Sequence, residues 1–167
     1  MSTLYLLRHA KAGWAQPGMR DFDRPLDAAG VRDAEKIGSI MRGRAYVPDL
    51  TLCSTALRAR QTLEGVAGHA DIGRAVFIEA LYSEDAAGYL SIVHKQGGHG
   101  SLLIIGHNPM MEDLAIAVAG AGEAPALHLL RSGFPTSGLA VIGFQAPLSE
   151  ARPGQGHVEA FVTPADS

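Results

Sequence analysis

Arg8 and His9 stand side by side directly after the apolar run Leu4–Leu7. A guanidinium and an imidazole are poor company for the core that such a run implies, so they belong at its end, where core gives way to solvent. Two further stretches repeat the pattern. Leu50–Cys53 leads into Ser54 and then Arg58, and Leu102–Ile105 leads into Gly106, His107 and Asn108. A single arginine is ordinarily a solvated surface charge, and a single histidine is ordinarily satisfied within the structure. Two of each arriving at the ends of apolar runs call for another explanation. Guanidinium forks match a tetrahedral oxyanion such as phosphate bidentately and with permanent charge.

The spacing around these residues agrees with an anion site. Ser54 or Thr55 can cap a following helix, which puts Arg58 in its first turn, where guanidinium and free backbone N–H groups face the same way. Arg60 lies two residues on, roughly 200° around the helix axis, and points elsewhere. Gly106 permits a sharp turn, and Pro109 suits the first position of the next helix.

The elements that must position these residues alternate. Strands are expected near Thr3–Leu7, Leu50–Cys53, Ala75–Ile78, Ser101–Ile105, Leu139–Phe144 and Val158–Val162. Helices are expected near Asp27–Arg44, Ala56–Gly68, Ala86–Gln96 and Met110–Ala119, with Asp27 as a cap. The apolar stretch Leu114–Leu130, broken by "AGAG", Glu123 and Pro125, reads as a buried helix running into a loop. This pattern predicts an α/β fold: a three-layer α/β/α sandwich with a mainly parallel sheet and helices on both faces. The last two strands have only Pro147–Gly156 between them, which predicts an antiparallel C-terminal edge. Ligands of such sheets bind beyond the carboxyl ends of the strands. Arg8, His9, Ser54, Arg58 and His107 would therefore share one edge.

Length and composition set bounds. The 167 residues suit one domain, 1–167, and 47% hydrophobic with 19% charged residues is a globular balance. Fourteen Lys+Arg against 17 Asp+Glu give a net charge of −3, so no global field attracts nucleic acid or an anionic membrane. Cys53 is the only cysteine, which excludes an internal disulfide and a cysteine-rich metal site and fits a reducing cytoplasm. The first apolar run is too short for a signal peptide.

"LLRHAKA" resembles the RH signature that opens the histidine phosphatase (phosphoglycerate mutase-like) superfamily. "CSTALRARQT" resembles its second motif, "GHNP" its third, and "DFDRPLDAAG" the segment that follows the first. The four come in family order, and the short chain without a large inserted cap is similar to the compact SixA branch, which removes phosphate from phosphohistidine in phosphorelay proteins. The resemblance implies His9 as nucleophile, carrying a phosphohistidine intermediate that water hydrolyses. It implies Arg8, Arg58 and His107 as ligands of the phosphoryl oxygens. Neighbouring guanidinium groups would keep His9 neutral. Ser54 and Asn108 are expected to contact substrate. Arg24 is either a rim contact to substrate or an ion-pair partner of Asp21 or Asp23.

Larger branches carry a carboxylate general acid after the third strand. Here that loop reads "EALYSEDAAG", and Glu84 and Asp85 are candidates for the acid or for capping the next helix. An imidazole leaving group needs less protonation than an alkoxide, so an ill-defined acid points to phosphohistidine. The expected partner is a phosphorylated protein, with a small phosphate ester or a non-catalytic phosphoprotein-binding role as the alternatives. No cofactor is implied, and no metal: two histidines alone make no site, and Arg8 and Arg58 beside a dication are unfavourable. Trp14 either lines the substrate rim or covers a loop, and Thr136 and Ser137 are within chain reach of the site.

Overall fold

The structure, a computed structural model, describes residues 1–167. Strands and helices alternate from the start: β1 (Ser2–Arg8), α1 (Ala28–Gly43), β2 (Leu50–Ser54), α2 (Leu57–Ala67) and β3 (Arg74–Ile78). A short α3 (Ala80–Ser83) and α4 (Ala86–Lys95) lead to β4 (Ser101–Gly106) and α5 (Met110–Val118). The chain closes with β5 (Ala119–Gly122), α6 (Ala124–Arg131), β6 (Leu139–Phe144) and β7 (Gly156–Val162). All seven strands join one sheet in the order β3-β2-β4-β1-β6-β7-β5. β1, β2, β3 and β4 run parallel, whereas β6 is antiparallel to both β1 and β7.

Side-chain alternation divides each central strand between two layers. Leu4, Leu6, Leu102 and Ile104 pack with α3, α4, α5 and α6, while Tyr5, Leu7, Leu103 and Ile105 pack with α1 and α2. Strands buried on both faces must be apolar throughout, which is why Leu102–Ile105 is an unbroken run. The expected α/β/α layering is therefore present. Asp27 caps α1, its carboxylate accepting from the Gly30 amide at 2.7 Å.

Three local expectations are corrected. The outermost strand beyond β7 is β5, built from the "AGAG" segment expected to be loop, and it pairs in parallel with β7. Its residues carry no strand-like pattern, but their small size permits the approach: a Cβ on Gly120 would collide with the Gly154 carbonyl, and one on Gly122 would lie 2.8 Å from Val158. α5 is the helix expected over Met110–Ala119, and the chain after β5 forms a further helix, α6, where loop was expected. α2 starts at Leu57 with Ala56 as its N-cap and no side-chain cap, and Pro109 is an N-cap one position earlier than expected.

Candidate active site

The parallel strands β1, β2 and β4 end at one edge and deliver Arg8–His9, Ser54 and Gly106–His107 there. The His9 amide donates to the Gly106 carbonyl (3.0 Å), which locks the two strand ends together just where the imidazoles begin. The His9 and His107 rings lie 5.1 Å apart between centroids, and only 9% and 4% of these residues is exposed. Arg58 enters from the first turn of α2 and is 7% exposed.

Hydrogen bonds determine what each imidazole can do. His9 Nδ1 is 2.7 Å from the Ala10 carbonyl, which only accepts, so Nδ1 carries the proton and Nε2 keeps its lone pair. Burial, with help from Arg58, Arg8 and Arg24, pushes the His9 pKa down to about 4, against the pull of that carbonyl. Burial also takes His107 down to about 3, with His9 and Arg58 adding to it. Both rings are neutral at pH 7. His107 Nε2 lies 2.7 Å from the Ser54 hydroxyl, which also accepts weakly from the Ala56 amide at 3.3 Å. The hydroxyl proton finds its acceptor in His107 Nε2. That pairing puts the ring proton on Nδ1, which is buried and has no protein partner.

Arg8 is held by one corner. Its Nη1 donates to the Phe134 carbonyl (3.0 Å), whereas its buried Nε has no partner, leaving the Nε side of the fork for an anion. Arg58 is held from the other direction: Nη1 donates to the Asp21 carbonyl (2.8 Å) and Nη2 to the Asp21 carboxylate (3.0 Å). The same carboxylate accepts from Arg24 Nη1 and from the Tyr82 hydroxyl, both at 2.9 Å. Burial alone would raise the Asp21 carboxyl, but the bonds from Arg24, Tyr82 and Arg58 outweigh it and hold it down at about 2. Fixed guanidinium groups and a buried N–H around a nucleophilic nitrogen are the parts needed to bind a phosphoryl group and accept it.

The expected residues divide accordingly. Arg8, His9, Arg58 and His107 come together. Arg24 pairs with Asp21 and donates through Nε to the Gly13 carbonyl (3.0 Å), yet stays near enough to depress His9. Ser54 is fully buried behind His107 and positions it. Asn108 bridges protein groups, donating to the Phe134 carbonyl (2.9 Å) and accepting from the Glu112 amide (3.2 Å). Asp85 caps α4 through the Gly88 amide (2.9 Å), and Glu84 is exposed; neither bonds to a site residue. Ser137 is buried, its amide donating to the carbonyls of Arg8 (3.1 Å) and His9 (3.2 Å). Trp14, 90% exposed, covers nothing.

Two residues were missed as functional. Asp21 entered only as a partner for Arg24, and its three-residue spacing from Arg24 was the available signal. Tyr82 lies in the segment expected to carry the general acid. Its ring meets the His107 ring edge-on (centroids 5.5 Å), Arg58 Cζ lies 5.9 Å from its centre, and Phe22 packs against it at 5.2 Å. Phe22 also lines a cleft of about 470 Å³ together with Thr55, Arg60, Leu63, Glu64 and Phe77.

A family model of the histidine phosphatase superfamily (branch 1) matches residues 4–84. An uncharacterized protein of Mycobacterium tuberculosis is 34% identical over 162 residues, covering 95% of this chain and 99% of that protein. The crystal structure of the "putative phosphohistidine phosphatase SixA" from Agrobacterium tumefaciens superposes with a TM-score of 0.82 at 40% identity, covering 98% of this chain and 99% of that one. The corresponding "putative" SixA protein of Nakamurella multipartitia gives 0.84 at 28% identity, over 98% and 96% of the two chains.

Proposed function

The chain belongs to the histidine phosphatase superfamily, in its SixA-type branch, and from that premise we propose that it is a phosphatase acting on phosphohistidine in a protein. The observation that carries the proposal is the His9 Nδ1–H bond to the Ala10 carbonyl, which aims a neutral, lone-pair-bearing Nε2 into a site flanked by Arg8 and Arg58. Nε2 attacks phosphorus in line. The substrate ring carries a proton on its other nitrogen, so when the bond from phosphorus to the substrate nitrogen breaks, the electron pair returns to an imidazole that leaves neutral. Arg8, Arg58 and the His107 Nδ1–H stabilise charge on the phosphoryl oxygens. Water then attacks phospho-His9, the electron pair of the broken bond returns to Nε2, and inorganic phosphate departs.

The leaving group is read from the acid. Asp21 is the one carboxylate bonded to site residues, and held at about 2 it has no proton to give near neutrality. A site without a carboxylic acid favours a leaving group that needs little protonation, as an imidazole does. A phosphorylated protein is the partner this supports; no helix is long and apolar enough to cross a membrane.

The test is a phosphate-transfer assay with a radiolabelled phosphohistidine protein. The expected result is an acid-labile phospho-enzyme and release of phosphate, both lost in His9→Ala. Binding of the phosphoprotein with neither label nor turnover would leave a non-catalytic binding module instead.

A further inference from the structure

Four rings stand in series at this edge: His9, His107, Tyr82 and Phe22, with successive centroids 5.1, 5.5 and 5.2 Å apart. The row begins at a nearly buried imidazole and ends at the half-exposed Tyr82 and Phe22. An in-line transfer to His9 places the leaving atom on the opposite side of phosphorus. With His9 at the buried end, the leaving group faces outward, and Tyr82 touches two of the groups that would seat the phosphoryl oxygens, His107 and Arg58.

We infer that Tyr82 is a specificity-determining residue, whose ring forms the wall against which a planar leaving group, such as the imidazole of a phosphohistidine, is laid. The inference rests on the anion seat of the proposed phosphatase and adds what that seat selects. Tyr82 is suited to the task because it is fixed at both ends. Its hydroxyl donates to Asp21, and its ring meets Phe22 at an interplanar angle of 81°. A ring held in this way loses little freedom when another ring packs on it, and aromatic pairs gain energy beyond the area they bury. A flexible alkyl leaving group gains no such contact. Glu84 and Asp85, the polar residues of the same loop, make no bond to any site residue.

Binding of two non-hydrolysable anions, measured by calorimetry, separates this role from catalysis. Phenylphosphonate carries a planar ring where the leaving group would lie, and methylphosphonate does not. The wild-type chain is expected to bind phenylphosphonate about fivefold more tightly than methylphosphonate, the middle of the range that aromatic pairing supplies. Tyr82→Leu should bring that ratio close to one, with Tyr82→Ala as a second ring-less variant. Tyr82→Phe, which keeps the ring and loses the bond to Asp21, should preserve it. No preference in the wild type overturns the inference, and so does a ratio unchanged in both ring-less variants. A collapse of the ratio in Tyr82→Phe also overturns it, because the hydroxyl would then act only through Asp21. These ratios need no turnover. A phospho-enzyme that never forms sinks the proposed reaction while the ratios still judge Tyr82.

Discussion

The Nδ1–H of His9 meets the Ala10 carbonyl, and a carbonyl cannot donate in return, so the backbone itself assigns the tautomer. Arg58 is oriented by a less direct device. Two of its N–H groups end on Asp21, one on the main-chain oxygen and one on the carboxylate, which fixes the guanidinium close to both imidazoles. Asp21 therefore acts as a positioning residue, and it also places a negative charge near the seat of an anionic substrate. Asp21→Asn should lower kcat about tenfold, the low end for a charge-assisted hydrogen bond because this carboxylate is half exposed. KM should not rise, since the lost charge opposes substrate. Asp21→Glu should recover part of kcat. Steady-state kinetics on one substrate decide it: a raised KM at unchanged kcat would make Asp21 a ground-state contact. His9, Arg8, Arg58 and His107 were legible in the sequence because each sits beside the end of an apolar run. Asp21 and Tyr82 were not, because their role depends on loops 61 residues apart meeting at one carboxylate.

At the scale of elements, Tyr89 of α4 joins the parts that carry the site. Its buried hydroxyl donates to the Leu81 carbonyl of α3 and accepts from the His107 amide at 3.2 Å. Gly106 makes room for it, since a Cβ there would stand 2.6 Å from that hydroxyl oxygen. One oxygen thus sets the distance between the end of β4, which carries His107, and the short helix that carries Tyr82. Tyr89→Phe should cost about 1–3 kcal/mol in urea unfolding, because a carbonyl and an amide are left buried without partners. An unchanged urea midpoint would show that water or a shift of α3 satisfies both groups. Helices of ordinary length and the central strands were legible, because burial imposes a period of 3.6 on one and a continuous apolar run on the other. β5 was not, since the small residues that let it reach β7 carry neither pattern.

The whole molecule has a net charge of −3, yet gathers Arg8, Arg24 and Arg58 around two imidazoles. Burying these rings neutral beside guanidinium groups has a thermodynamic consequence. Folding moves His9 from an ordinary 6.5 down to about 4 and His107 down to about 3. Between those values and 6.5 the unfolded chain binds more protons than the folded one, so stability rises with pH through this window. The contribution is complete above pH 6.5 and is lost as the pH falls towards 4 and then 3. Asp21 has the same sign in a lower window, because its folded pKa of about 2 lies below the ordinary 3.8. The midpoint temperature should therefore fall between pH 6.5 and 4.5, before Asp21 titrates, and His9→Asn should make that fall shallower. Inorganic phosphate should counter it twice over. It binds only the folded state, and its negative charge raises the pKa of both imidazoles towards the unfolded value. Thermal scans at pH 7.0 and 4.5, with and without phosphate, read both effects. Equal midpoints at the two pH values, or an equally steep fall in His9→Asn, would mean that these rings do not carry the acid sensitivity of the fold.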